Sequence, residues 1–308
     1  MRISAPVLPS PVFKSRWLLI ALLAALSFAA TAAQAQNLSF EGPTGILVTP
    51  LASVSPSPAN GVGHPAIAYH ILVGGPVLGV FNTVSLTEGF AKRFEAGYTR
   101  EDHSAGDTAG LSPLWTNGIN IIHGKANIVP ENAFKTKWVP AISVGGILRT
   151  NDSNVFDGTN GQTKTNGDLY LVATKVITQI DKKVPVLINA GVRGTNSSLW
   201  GLGGNAPNFT AGGFGALAFV ITGPGKSTII LASEAIQQPR TIKTTNKFGV
   251  SSGAFDIPPT VDYAVRVVPS PKHKLNLDFG ILQAAGRIAP GVNLQARTTE
   301  AIGVSYGF

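Results

Sequence analysis

Ala301-Ile302-Gly303-Val304-Ser305-Tyr306-Gly307-Phe308 alternates strictly, with Ile302, Val304, Tyr306 and Phe308 on one face and Ala301, Gly303, Ser305 and Gly307 on the other. A period of two is the signature of a β-strand. Bulky apolar residues on one face and small ones on the other suit a barrel wall with lipid outside and a lumen within. The same two-faced pattern recurs upstream. In 274–282, Leu275, Leu277, Phe279 and Ile281 alternate with Asn276, Asp278 and Gly280. In 261–267, Val261, Tyr263, Val265 and Val267 alternate with Asp262, Ala264 and Arg266. Segments 119–122 and 214–221 are apolar on both faces and do not choose a side.

Working outward from these strands, the rest of the chain breaks into segments rich in Val, Ile, Leu, Thr, Phe and Gly, bounded by Gly, Pro, Asn, Ser and Lys clusters. Strands are expected at 65–73, 77–87, 93–101, 118–129, 140–150, 168–178, 184–194, 211–222, 227–238, 261–269, 274–285 and 298–308. Their length matches the roughly 9 to 11 residues that a tilted strand needs to cross a hydrocarbon core. Connectors alternate as well: 88–92, 179–183, 223–226 and 270–273 are short and 130–139 is intermediate, whereas 102–117, 151–167, 195–210, 239–260 and 286–297 are long. The fold expected is therefore all-β, an antiparallel transmembrane β-barrel of about 12 strands with short periplasmic turns and longer outer loops. Gly74-Gly75-Pro76 breaks the alternation, and the strand count at the first hairpin stays open.

Composition narrows the field further. Only 13% of the 308 residues are charged and 44% are hydrophobic, which is not the composition of a disordered chain. The chain has no Cys, so disulfide frameworks and thiolate metal sites are excluded. Residues 1–35 have the layout of an export signal: Lys14 and Arg16, an apolar run from Trp17 to Ala30, and Ala33-Gln34-Ala35 as the small-x-small cleavage pattern. The expected division is a signal peptide at 1–35, a periplasmic or lumenal segment at 36–63 and the barrel at 64–308. Loss of Arg2, Lys14 and Arg16 takes the formal charge from +8 to +5. With Lys92-Arg93 and Lys182-Lys183 as the longest basic runs, no nucleic acid partner is implied.

Two termini carry a family resemblance. The closing Ile302-Gly303-Val304-Ser305-Tyr306-Gly307-Phe308 resembles the last-strand signal of bacterial outer-membrane proteins, which implies an assembly role for Ile302, Val304, Tyr306 and Phe308 and the barrel-assembly machinery as a partner. Near the other end, Phe40-Glu41-Gly42-Pro43-Thr44-Gly45-Ile46-Leu47-Val48-Thr49-Pro50-Leu51-Ala52 is similar to the opening of outer-membrane barrel proteins associated with exopolysaccharide gene clusters. That resemblance implies the bacterial outer membrane, outer-membrane lipids as surroundings and a polysaccharide connection.

Three short patterns look like chemistry and are read as structure. Gly303-Val304-Ser305-Tyr306-Gly307 fits a nucleophile elbow, but no helix can follow Ser305. Gly223-Pro224-Gly225-Lys226-Ser227-Thr228 looks like a phosphate loop, yet the first Gly of the motif would stand at Val220 and Pro224 removes a donor. Gly201 to Ala206 partly matches a dinucleotide fingerprint, but Pro207 begins no helix. His64, His70, His103, His123 and His273 make no ligand pair, so no metal and no cofactor are implied. Asp102, Asp107, Asp152 and Asp157 are read as solvated loop carboxylates rather than Ca²⁺ ligands. Tyr98, Trp115, Trp200 and Tyr263 near the outer strand ends, and Trp138, Phe219 and Phe308 near the inner ends, are girdle candidates.

By strand parity Glu95, Arg193, Glu234, Asp262, Arg266 and Asp278 point inward. Two readings of these charges stand side by side: a mixed-sign lumen for small polar solutes or glycans, and structural pairs that hold strand register. The function expected is a narrow, porin-like passive channel or an envelope scaffold, without covalent catalysis. A lipid-modifying enzyme and a surface adhesin acting through the long loops are the alternatives.

Overall fold

The computed structural model of the protein describes residues 37–108, 117–152, 164–178, 184–197, 205–239, 257–270, 274–284, 287–289, 292–293, 295 and 298–308. The expected signal peptide, Trp115, Trp200, Asp157, His273 and Gly201 to Gly204 lie outside them.

Strands β1 (Ala66–Val73), β2 (Val80–Phe90), β3 (Phe94–Ser104), β4 (Asn117–Val129), β5 (Ala141–Asn151) and β6 (Thr165–Ile177) form the first half of the wall. The second half is β7 (Val186–Ser197), β8 (Asn205–Thr222), β9 (Thr228–Ile236), β10 (Thr260–Val268), β11 (Leu275–Gln283) and β14 (Thr299–Gly307); β12 (Arg287–Ala289) and β13 (Val292–Asn293) make a separate two-stranded ribbon. Each wall strand pairs antiparallel with its neighbours, and β14 closes on β1 with Ala66 opposite Gly307 and Ala68 opposite Ser305. The result is a closed barrel of 12 strands. Closure leaves no unpaired sheet edge. Among the described residues no helix is long and apolar enough to cross a membrane.

The first hairpin is two strands, as the sequence pattern counted them, but its connection is longer than Gly74-Gly75-Pro76. One helical turn, α1 (Gly75–Leu78), sits there and sends Val77 and Leu78 into the interior. Pro76 at the start of that turn displaces the strand, which is why β2 begins at Val80 rather than at 77. At the opposite end Gly225 supplies a positive φ of 65° in the Gly223 to Ser227 turn. The phosphate-loop pattern is therefore a strand connector between β8 and β9, and Ser305 lies within β14.

Parity holds along the wall. Ile122, Leu148, Leu169, Val192, Tyr263, Phe279 and Ile302 are exposed on the outer face, while Ala218, Thr99, Asn276 and Ser305 are buried on the inner one. The segments that were apolar on both faces split cleanly: Ile119 and Ile121 point inward and Ile122 outward. The inner face is as dry as a core because residues 38–52 occupy the lumen. Leu38, Phe40, Leu47, Leu51 and Ala52 are buried there, and Ser39 to Pro50 fold on themselves through bridges Leu38–Thr44 and Gly45–Pro50. The sequence pattern left open pore and closed scaffold undecided; the lumen is filled by the chain's own segment. The interior is packed, with a residual cavity of about 40 Å³ beside Leu47, Arg266 and Asp278.

Room for this contents is made by small wall residues. A Cβ on Gly280 would run into the Leu47 side chain, and one on Gly97 would meet the His123 ring and the Leu86 carbonyl. Since the carbonyl belongs to the paired strand and cannot rotate away, Gly97→Ala should destabilise the barrel by about 1 to 3 kcal/mol, the usual range for overpacking. Thermal unfolding followed by heat-modifiable gel migration checks this, and an unchanged midpoint would show that β2 can shift away from position 97 as well as the His123 ring.

Candidate functional site

The lumenal segment has little regular secondary structure, so its main-chain groups need partners other than a ladder. The wall supplies them from strands on every side. Glu234 on β9 accepts hydrogen bonds from the backbone N–H groups of Leu47 (2.7 Å), Val48 (3.1 Å) and Thr49 (2.7 Å), and from the Thr49 hydroxyl. Arg266 on β10 donates to the carbonyls of Gly45 (3.0 Å), Ile46 (3.0 Å) and Leu38 (3.2 Å). Lys125 on β4 donates to the carbonyls of Thr44 and Leu51, each at 2.9 Å.

Glu95 on β3 holds the opposite side. Its carboxylate accepts from the Thr44 N–H (3.0 Å), the Thr44 hydroxyl (2.6 Å) and the Ser55 N–H (2.8 Å), and pairs with Lys125 at 2.9 Å. Neutral side chains complete the cradle: Thr87 donates to the Gly42 carbonyl, Thr99 to the Glu41 carbonyl, Asn189 to Pro50 and Asn127 to Ala52, while Thr174 accepts from the Ala52 N–H. The segment contributes one charge of its own. Glu41 meets Arg149 on β5 in a bidentate pair at 2.5 and 2.7 Å, and Arg149 also binds Asp168 on β6 at 2.8 Å.

All six inward candidates from parity are buried on the inner face: Glu95, Arg193, Glu234, Asp262, Arg266 and Asp278. Arg266 and Asp278 stand directly opposite across β10 and β11, bonded at 2.5 and 3.2 Å. Asp262 is the cross-strand neighbour of Glu234. Arg193 reaches Asp168 at 3.4 Å and the Gln237 carbonyl at 2.9 Å. The two sequence readings of these charges were a solute path and register pairs; the structure adds a third role, in which Glu95, Glu234 and Arg266 bind the lumenal segment. Lys125, Arg149 and Asp168 were missed, although the same parity argument applied to 118–129, 140–150 and 168–178 places them inward.

Of the histidines, His70 and His123 are buried in the lumen beside Asp278 and Thr87, respectively, and His103 stacks on Phe81 at 3.7 Å while bonding the Leu78 carbonyl. His64 is exposed. No group of three or more His, Cys, Asp or Glu that suits a metal occurs among the described residues. At the long-loop end Arg100 bridges Asp152 (2.6 Å) and Asp102 (2.8 Å), and its hydrogen bond holds the Asp152 carboxyl below the usual carboxylate range. Asp107 is exposed. Tyr98, Tyr263, Phe219, Trp138 and Phe308 are exposed; Phe219, Trp138 and Phe308 stand near or beyond strand ends, whereas Tyr98 and Tyr263 lie within β3 and β10 rather than at their outer ends. Ile302, Phe308, Val304 and Tyr306 share the outer face of β14 and its end; the rings of Tyr306 and Phe308 pack edge to face at 5.2 Å.

These features define a class first: a 12-stranded antiparallel β-barrel whose lumen is filled by its own N-terminal segment. The chain belongs to the family described as "Protein of unknown function (DUF3034)", matched over residues 37–216, a span that begins with the lumenal segment. No curated protein matches the chain. Among solved structures, it is similar to the KdgM porin (13% identity, 79% of this chain and 99% of that chain, TM-score 0.45). It is also similar to the COG4313 outer membrane channel from Pseudomonas putida F1 (11% identity, 83% and 98%, TM-score 0.47). At such values the likeness adds nothing to the architecture already described.

Removing one member of a buried charge cluster strands the others. Arg149→Ala should therefore lower stability by about 3 to 5 kcal/mol, because Glu41 and Asp168 lose their shared cation. Glu234→Gln, which turns an acceptor into a donor facing backbone N–H groups, should cost about 1 to 3 kcal/mol. Thermal unfolding of both variants measures this, and wild-type midpoints would mean that the lumenal segment is not held as described.

Proposed function

We propose that the protein is an integral barrel of the bacterial outer membrane, a porin-like channel for small polar solutes or glycans that its own residues 38–52 hold shut. The membrane part of this reading rests on the outer face, where the exposed wall side chains are predominantly Ile, Leu, Val, Phe and Tyr. In water such a band is an aggregation liability, whereas in lipid it is the favoured surface. Short turns then lie on the periplasmic side and the long loops outside. Export through a cleaved signal peptide, recognition of the Phe308 strand by the barrel-assembly machinery and the exopolysaccharide connection belong to the same proposal. The reading includes no covalent chemistry.

One observation carries the gated-channel reading. The wall holds the segment through buried charged side chains directed at its main chain, where a permanently solid barrel needs only apolar filling. Buried ion pairs give little net stability compared with apolar packing, so their use here favours a contents that can leave and expose a polar lining. A closed envelope scaffold is the second reading, favoured by the small residual cavity.

Planar-bilayer recording separates the two. Wild type should conduct little, deletion of 37–52 should give stable openings, and Glu234→Ala should give transient ones if the deletion variant fails to fold. In the opened background Arg266→Ala should shift ion preference toward cations, because Asp278 is left unpaired in the lumen. Silence from every variant that folds would support the scaffold. On the outer face Ile302→Arg should cost about 2 to 4 kcal/mol if the position lies near the bilayer midplane. Equal stability in detergent and lipid for that variant would argue against membrane embedding.

A further inference from the structure

The short connectors are rich in basic residues, whereas the long ones mix Lys164, Arg240, Lys243, Lys247, Arg287 and Arg297 with Asp107, Asp152, Asp157 and Asp256. At the short-turn end Lys92 and Arg93 stand between β2 and β3, Lys135 and Lys137 between β4 and β5, and Lys226 between β8 and β9. The remaining short connectors carry Lys182, Lys183 and Lys272, with Asp181, in sequence, outside the described residues. Among the described residues of these connectors the one acid is Glu131, and it is already engaged, by Lys175 at 2.9 Å and by the Val176 N–H at 2.9 Å. Glu88 lies nearby on the outer face of β2.

The connector between β4 and β5 adds apolar rings at the same level. Phe134 is 83% exposed and Trp138 is 71% exposed, next to Lys135 and Lys137, which are exposed too. The segment has internal bonds, Asn132 N–H to the Val139 carbonyl (3.0 Å) and Thr136 N–H to the Ala133 carbonyl (3.2 Å). It therefore presents the rings from a fixed turn. Ile128 at the end of β4 is exposed and runs this patch into the apolar band of the wall. Rings at the level of the headgroups beside lysines that reach outward are the arrangement that binds an interface of negative charge.

We propose that this basic, aromatic edge is a seat for anionic phospholipid headgroups of the leaflet at the short-turn end, with Lys135 and Lys137 as the phosphate-binding cations and Trp138 as the ring at the headgroup level. The proposal rests on the membrane reading above. It goes beyond it by naming a lipid class and a side of the barrel.

The test uses the purified chain with Trp115→Phe and Trp200→Phe, which leaves Trp138 as the fluorophore of the chain after signal removal, in vesicles of phosphatidylcholine mixed with phosphatidylglycerol. Brominated phosphatidylglycerol should quench Trp138 more strongly than the same fraction of brominated phosphatidylcholine. Each engaged lysine should enrich the anionic lipid about fivefold at low salt, and the preference should fall as salt is raised. Charge reversal by Lys135→Glu with Lys137→Glu should abolish it. Retention of phosphatidylglycerol over phosphatidylcholine by the unsubstituted chain in mixed micelles gives the same comparison without the Trp changes.

Equal quenching by both lipids overturns the proposal and leaves the membrane reading in place. Absence of quenching by either overturns both. A preference unaltered by charge reversal shows that these lysines are not the seat. Binding of soluble alginate by the embedded chain, with no lipid preference, assigns the edge to an acidic glycan and overturns the proposal as well.

Discussion

The constraint on which the rest of the structure depends is the hydrogen-bonding need of a backbone taken into a closed barrel. Residues 38–52 pair part of their backbone internally, as in the Phe40 N–H to the Leu47 carbonyl and the Leu51 N–H to the Thr44 carbonyl, but no continuous ladder or helix satisfies the rest. Each group left unpaired in a dry interior costs roughly 1 to 3 kcal/mol. Glu234 answers three N–H groups, Arg266 three carbonyls and Lys125 two. The wall charges in turn need the segment, since Glu95 and Lys125 pair with each other but still have donors and acceptors to fill. Segment and wall are therefore one polar network, and its parts have little meaning separately.

Packing follows from the same arrangement. A barrel of 12 strands is wider inside than facing side chains of Ser, Thr, Ala and Gly can fill, and such a lumen would ordinarily hold water. Here Leu47, Leu51 and Phe40 occupy it, and the small residues Gly280, Ala264 and Ala232 make room for Leu47, leaving a gap of about 40 Å³. This changes what substitution on the inner face means. Ser305, which parity alone would offer as tolerant of a large polar side chain, is buried and hydrogen-bonded to Asn276 at 3.1 Å, so bulk there meets a filled interior.

The wall was legible in the sequence because a strand writes its two environments into alternate residues. Ile302 against Ser305, or Tyr263 against Asp262, announces which side is which without any knowledge of neighbours. The contents of the lumen were not legible for the same reason. Residues 40–52 follow no period, and what the wall recognises in them is mostly main chain, which every sequence possesses. Glu95, Glu234 and Arg266 could be placed inward, but a carboxylate awaiting three backbone N–H groups and one awaiting an ion look alike in a sequence. Lys125 and Arg149 follow from the same parity, but their inner faces mix Ile119, Ile121 or Ile147 with polar residues, so the two sides of these strands contrast less than those of 261–267.

On the channel reading proposed above, the network also sets how the segment would leave. Partial withdrawal would break some of its bonds while the rest of the buried charges stayed unpaired, so intermediate positions are costly and the segment should be in or out. The tether permits this. Residues 61–63 are pinned at the short-turn end by the Gly63 N–H on the Gly89 carbonyl and the Ala91 N–H on the Gly61 carbonyl. Between anchor and segment, 53–60 are held by the Ser55 N–H on Glu95 (2.8 Å) and the Lys92 N–H on the Ser57 hydroxyl (2.7 Å); with those bonds broken, eight residues reach at most about 26 to 29 Å. A hydrocarbon core about 30 Å thick puts the middle of the lumen about 15 Å from that mouth. On the channel reading proposed above, a chain anchored at 61–63 would therefore have the length to carry 38–52 from mid-lumen to that mouth, and the same tether would return it to its own sockets.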